Sequence, residues 1–277
     1  MRIIIAVVIG LAAAAVICGN LKFLFKTPSF MEKFAFPYRY DNADAFTAGN
    51  TTISTRVKKL DIDWITGNIT VRYHDEDTVL VSETSRFQLD DDTRLRWNLD
   101  DETLSIRFAK SGARLRPDLD KNIFVTLPRR AETEEAVISD TTGDIFINGG
   151  TWKVLDIHAV TGFVHISADI AEALTASSIT GNVAADVRSA GSIDLKCTTG
   201  DVDLSAGSFD SLMARVTTGD IRAHLPEDPG FTAKLSATTG NVVCRLPHID
   251  DGKIYTVGDG SRAVEMKAVT GNVTITG

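Results

Sequence analysis

With 277 residues, 43% of them hydrophobic, the chain can bury a sizeable core. A formal net charge of -8 argues against a nucleic-acid partner, whose phosphates need a basic face, and against broad adsorption to anionic lipid. Cysteines at 18, 197 and 244 make no disulfide framework; Cys197 and Cys244 fall at apolar positions and read as small core residues.

Residues Ile3 to Gly19 carry neither charge nor proline. Extended through Phe25, the run can cross a hydrocarbon core of ~30 Å at ~1.5 Å per helical residue. Residues 1–26 therefore read as a transmembrane anchor, with a cleaved signal peptide as the competing reading. Ala12 to Ala15 sit too early for a cleavage site, and Val16-Ile17 before Cys18 lacks the small residue of a lipoprotein site. Arg2 on one flank and Lys22, Lys26 and Lys33 on the other leave orientation open by charge alone. One N-terminal span ahead of one long domain is the usual signal-anchor arrangement, so the expected location is the cell membrane, single-pass, with the domain outside the cytoplasm. Residues 27–54, with Pro28, Pro37 and Gly49-Asn50, read as a tether, and residues 55–277 as one β domain.

Within 55–135, Leu60-Asp61-Ile62-Asp63-Trp64-Ile65 and Ile69-Thr70-Val71 alternate on either side of Thr66-Gly67-Asn68, which is a strand, a bend and a strand. Leu95, Trp97 and Leu99 alternate, Asp100-Asp101 supply turn residues, and Leu104, Ile106 and Phe108 alternate again, which reads as a hairpin. Ile123 to Leu127 is a short strand stopped by Pro128. This region reads as a first coil plus a capping β region, required because a stack of strands has exposed edges at its ends. The acidic runs Asp90-Asp91-Asp92 and Asp100-Asp101-Glu102, with Lys110, Arg114, Arg116 and Lys121 close behind, read as solvated loops of opposite sign; no spacing matches a calcium loop.

Residues 136–277 are a repeat. Thr-Gly followed by Asp, Asn or Phe and then Val or Ile recurs with glycines at Gly143, Gly162, Gly181, Gly200, Gly219, Gly240 and Gly271, after an upstream copy at Gly67. The steps from Gly143 are 19, 19, 19, 19, 21 and 31 residues. Two residues after each of these seven glycines stands Ile145, Val164, Val183, Val202, Ile221, Val242 or Val273, and the columns four after and five before are equally apolar. Spacing by two puts them on one interior, with His158, His165, Asp194, Lys196, Asp203 and Arg222 outside. Each copy is thus two short strands meeting at a glycine corner, and leucine-rich repeats of similar length are excluded by the missing Leu/Asn signature. The expected fold is all-β, a single-chain β-solenoid of ~19-residue coils stacked at ~4.8 Å with an N-terminal β cap, preceded by one transmembrane helix. The outward ladder Asp144, Asn182, Asp201, Asp220, Asn241 and Asn272 could be a calcium or glycan stripe; turn chemistry explains it more simply. Val273-Thr274-Ile275-Thr276-Gly277 suggests an open solenoid edge at the C-terminus.

No nucleophile elbow, phosphate loop or Cys-x-x-Cys is present, and His158 and His165 lack ligand partners at zinc spacing. No catalytic, metal-binding or cofactor-binding residue is named, and no cofactor is implied. The opening at Leu60 to Ile69, the strand ending in Leu127-Pro128 and the Thr-Gly-Asp/Asn-Val/Ile ladder resemble the bacterial DUF4097 family, whose adhesin label rests on shape. The resemblance covers roughly residues 55 to 277, departs at Phe163, and implies a β-helical, envelope-associated domain linked to stress responses, with no active residues to carry over. The reading is a non-enzymatic interaction, adhesion or stress-sensing module whose partner is an envelope protein or polymer. A homotypic scaffold polymerising through the open edge is the alternative, and a β-helix carbohydrate-active enzyme built on the Asp ladder is the third.

Overall fold

The computed structural model describes residues 38–277 except 117, 132 and 253; the anchor read at residues 1–26 lies outside the described residues. Within them no helix is long and apolar enough to cross a membrane. The described chain is all-β, twenty strands in one continuous sheet.

Its middle is a solenoid-like stack. Strands β10 (Ile145–Thr161), β11 (Val164–Thr180), β12 (Val183–Thr199) and β13 (Val202–Thr218) are each 17 residues long and run from just past one corner to the threonine of the next. Neighbours pair in parallel with matched columns, Val164 to Val183 to Val202 and Ala176 to Leu195 to Ala214. In one turn, Val183, Ala185, Val187, Ala190, Ile193, Leu195 and Cys197 are buried. They step by two along each arm and by three on either side of Ala190, so the chain bends there twice and the two arms close around a shared core. The columns two after, four after and five before each glycine are buried, except in the Gly240 copy, where Val242 and Cys244 are only half-buried.

That exception has a topological cause. The upstream copy, β3 (Lys59–Thr66) and β4 (Ile69–His74), stacks directly on β9 (Thr133–Thr142) and β10. At the other end β14 (Ile221–His224) is followed in sequence by β15 (Phe231–Thr239) and β16 (Val242–Cys244), yet it pairs with β20 (Val273–Thr276). The partner of β13 on the other arm is β19 (Arg262–Thr270), and β15 and β16 lie outside β19 and β20. The last two turns are therefore exchanged: the chain skips a layer after His224, builds the terminal layer, and returns to fill the gap. The edge expected at Val273–Thr276 is corrected accordingly, since Val273 and Ile275 are fully buried and paired on both sides. At ~3.3 Å per extended residue, a step lengthened from 19 to 21 residues suffices to cross an extra layer. The return path carries a hairpin, β17 (Ile249–Asp250) and β18 (Tyr255–Val257), and β18 pairs antiparallel with the start of β15.

The N-terminal end is closed differently. The arms of the first turn are extended by β7 (Thr103–Arg107) and β8 (Lys121–Pro128), and antiparallel strands lie over both. These are β6 (Arg96–Asp100) and then β1 (Thr47–Ala48) on one arm, β5 (Val79–Ser85) and then β2 (Thr51–Ile53) on the other. Ordered pairing thus begins within the stretch read as tether. The β6–β7 hairpin turns at Asp101 and Glu102, both at positive φ, and buries Leu104 and Ile106.

Candidate interaction site

All eight repeat glycines, Gly67, Gly143, Gly162, Gly181, Gly200, Gly219, Gly240 and Gly271, sit at corners with φ between 94° and 149°. At Gly200 a Cβ would stand 2.4 Å from the Gly181 carbonyl oxygen, so both the backbone region and the approach of the layer below require glycine. The Gly200 N–H donates to the Thr218 carbonyl at 2.9 Å and the Val202 N–H to that of Asp220 at 2.9 Å. This bond pair recurs up the stack until Gly271 donates to Thr239 and Val273 to Asn241.

The Asp/Asn column forms a second ladder. Oδ1 of Asn182 accepts from the Asp201 N–H, that of Asp201 from Asp220, and that of Asp220 from Asn272, at 2.8 to 2.9 Å. Arg222 clamps Asp201, Asp203 and Asp220 from outside, at 2.9, 3.3 and 2.8 Å. The Asp220 N–H, and then Arg222, hold the Asp201 carboxyl below its usual range. The Phe163 N–H donates to Asp144 Oδ1 of the layer below at 2.8 Å, but Phe163 offers no side-chain acceptor to Asn182, so the ladder is interrupted there. Among the described residues no three His, Cys, Asp or Glu side chains form a cation cage.

A third column lies inside the corner, three residues before each glycine. Ser178 Oγ donates to the Gly162 carbonyl at 3.2 Å and Cys197 Sγ to that of Gly181 at 3.0 Å. Trp64 Nε1 donates to the Lys121 carbonyl at 2.8 Å. Asp140 occupies the same column and is buried; its Oδ1 accepts from the Thr142 N–H while Oδ2 has no hydrogen-bond partner among the described residues. Burial pushes its pKa up to about 7, helped by Asp144 and Asp63 and opposed by the backbone N–H groups. The neutral carboxyl is the donor form, which matches the hydroxyl and thiol of the layers above.

The N-terminal end contains the deepest charge, and here the reading of Lys121 as part of a solvated loop is corrected. Asn122 Oδ1 accepts from the Asn68 N–H and Ile123 pairs with Ile69, so Lys121 stands where the corner glycine of a further layer would be. Its side chain runs into the cap, where Nζ donates to Glu83 Oε2 at 2.7 Å, to the Thr93 carbonyl at 2.6 Å and to the Phe108 carbonyl, below the rings of Trp64 and Phe108. All three ammonium protons are engaged, yet burial still lowers the pKa to about 8. The loop reading had no signal for this, because Lys121 lies three residues past Asp118 in a charged run. Other members of that run stay on the surface, where Lys110 pairs with Asp92 at 3.0 Å and Arg116 with Asp118 at 3.0 Å.

At the C-terminal end, among the described residues, no further turn lies upon the outer layer, Lys234 to Cys244. Of the five large hydrophobic side chains exposed among the described residues, three lie within twelve residues here: Val243, Ile249, 76% exposed at the hairpin, and Ile254. An open groove of about 460 Å³ runs beside Ile254, lined by Asp194, Met213, Lys234 and Glu265.

The model of the Toastrack DUF4097 family matches residues 51–254. The chain belongs to that family. Solved structures with a related backbone include a candidate adhesin from Bacteroides fragilis, 15% identical, covering 83% of this chain and 97% of that one, with a TM-score of 0.47. A candidate cell adhesion protein from Clostridium sporogenes, 15% identical, covers 83% of this chain and 99% of its own, with a TM-score of 0.31. A candidate adhesin from Parabacteroides merdae, 10% identical, covers 87% and 100%, with a TM-score of 0.37. No curated protein matches the chain significantly in sequence. Likeness at this level transfers no ligand to the Toastrack domain described here.

Proposed function

We propose that this Toastrack protein is a non-enzymatic, membrane-anchored β-solenoid of the bacterial cell envelope that serves as an interaction or adhesion module and presents its C-terminal end to an envelope protein or polymer. The observation that carries the reading is the division of labour on the surface. Carboxylates along the corners are occupied in holding turns together, whereas the exposed apolar side chains Val243, Ile249 and Ile254 belong to the outer layer and the hairpin segment that follows it. The uncharged run at Ile3 to Gly19 and the family membership support the envelope location. A carbohydrate-active enzyme is not favoured: its general acid needs a raised pKa, and Asp201 is held low.

The test is a photo-crosslinking residue placed at Ile249 in the full-length protein in its own cells, with the same residue at the exposed Lys153 on the mid-stack face as reference. A discrete adduct at 249 and none at 153 is expected, and equal labelling at both positions would sink the reading. Protease treatment of intact cells should remove the domain; complete protection would reverse the proposed topology.

A further inference from the structure

We propose that the bare end of the stack pairs with the same end of a second copy of this chain, giving a closed two-fold dimer in which β15 of one protomer runs antiparallel to β16 of its partner across the Gly240 corner. Each corner N–H below this layer has its acceptor in the next turn, and the last are Gly271 to Thr239 and Val273 to Asn241. The N–H groups of Gly240 and Val242 hold the same places, and among the described residues no turn lies beyond them. The side chain of Asn241, which should accept from a following layer as Asn272 accepts from Asn241 at 3.0 Å, has no such donor among the described residues. Antiparallel β18 covers the edge only over Phe231 to Ala233, and from Lys234 to Arg245 it carries no proline and no inward charge.

A second copy can meet this edge in one way. Its other end is closed by antiparallel strands whose outermost members, β1 and β2, are two and three residues long. Head-to-tail growth into a filament therefore lacks a receiving edge, and what remains is the edge itself, related by a two-fold axis through the corner. That axis sets Thr238 opposite Val243 and Ala237 opposite Cys244. Thr238 and Val243 both face solvent, and Ala237 and Cys244 both face the core and are half-buried. A slip by one residue would set inward against outward side chains. The same register places Arg245 opposite Ser236, so no like charges oppose one another. The dimer would complete the half-buried core at Val242 and Cys244. It leaves Ile249 outside the paired strands, so it stands whether or not the hairpin binds another molecule.

Directly opposed antiparallel positions suit a disulfide. In full-length protein carrying Cys18→Ser and Cys244→Ser, Thr238→Cys and Val243→Cys are made as separate variants, purified, mixed and oxidised. A covalent species of twice the chain mass should form in the mixture, not in either variant alone, and nothing larger should appear. A second variant, Val242→Pro, removes an N–H that points off the stack and trims a half-buried side chain; its circular dichroism should keep the strand signal while dimer dissociation, followed by light scattering against concentration, rises at least tenfold. A wild-type protein that stays monomeric at all concentrations with no crosslink, because residues 1–37 or another protein covers the edge, overturns the proposal. So does a ladder of higher species, or equal crosslinking by the single variants.

Discussion

The middle of the stack and its two ends are built on opposite principles. Between Gly143 and Gly219 every turn is interchangeable: the same columns are buried, the same corner bonds recur, and a residue's role follows from its distance to the nearest glycine. At the ends that equivalence fails. The N-terminal end replaces a glycine corner by Lys121 and seals the stack with a buried ion pair and antiparallel strands, while the C-terminal end exchanges two turns and leaves one bare. Periodicity specifies an interior because each layer has two identical neighbours. A terminal layer has only one, so its missing partner must be supplied by something outside the pattern.

The largest effect is expected where the cap is pinned. Lys121→Met leaves Glu83 charged and buried, and chemical denaturation should show a loss of roughly 3–5 kcal/mol. Adding Glu83→Gln should recover part of it, whereas a loss below about 1 kcal/mol would mean that antiparallel pairing alone closes this end.

Asp140 probes the inner corner column by pH. Its folded pKa of about 7 lies above the unfolded carboxyl value, so the neutral acid is what the fold prefers. Its stabilisation is complete below pH ~4 and is lost as pH rises through about 7, at about 1.4 kcal/mol per unit and up to about 4 kcal/mol in all. Asp140→Ser, which donates as Ser178 does, should melt at a higher temperature than the parent at pH 8 and flatten the dependence between pH 4 and 8. An unchanged pH profile would show that Asp140 stays ionised in the fold.

Comparing corners with loops separates glycines the stack requires from those it tolerates. Gly200→Ala meets the Gly181 carbonyl at positive φ and should cost roughly 3 kcal/mol in equilibrium unfolding. Gly252→Ala, at φ 85° in open space, should cost about 1 kcal/mol. Equal costs would reduce the corner effect to backbone conformation. The smallest change expected is a gain: Phe163→Asp supplies the absent acceptor for the Asn182 N–H and should stabilise the middle by about 1 kcal/mol, read as a rise in melting temperature.

The amino-acid sequence alone was enough to read the turn. Period-two alternation on both sides of Thr199-Gly200-Asp201 identifies inward and outward columns, because a side chain one position along a strand must point to the other face. Membership of the family followed from the same ladder. The hairpin around Asp100-Asp101 was legible for a similarly local reason, its turn residues lying between two alternating runs. Stacking order was not legible, since Gly240 and Gly271 carry identical corners and nothing local distinguishes the outer layer from the one it covers. Nor was the fate of Lys121, whose acceptors Glu83, Thr93 and Phe108 lie 38, 28 and 13 residues away. Local periodicity decides which way each side chain points; only long-range packing decides which layer it belongs to, which charge is buried, and where the unpaired edge remains, because those depend on neighbours that the chain brings together across its length.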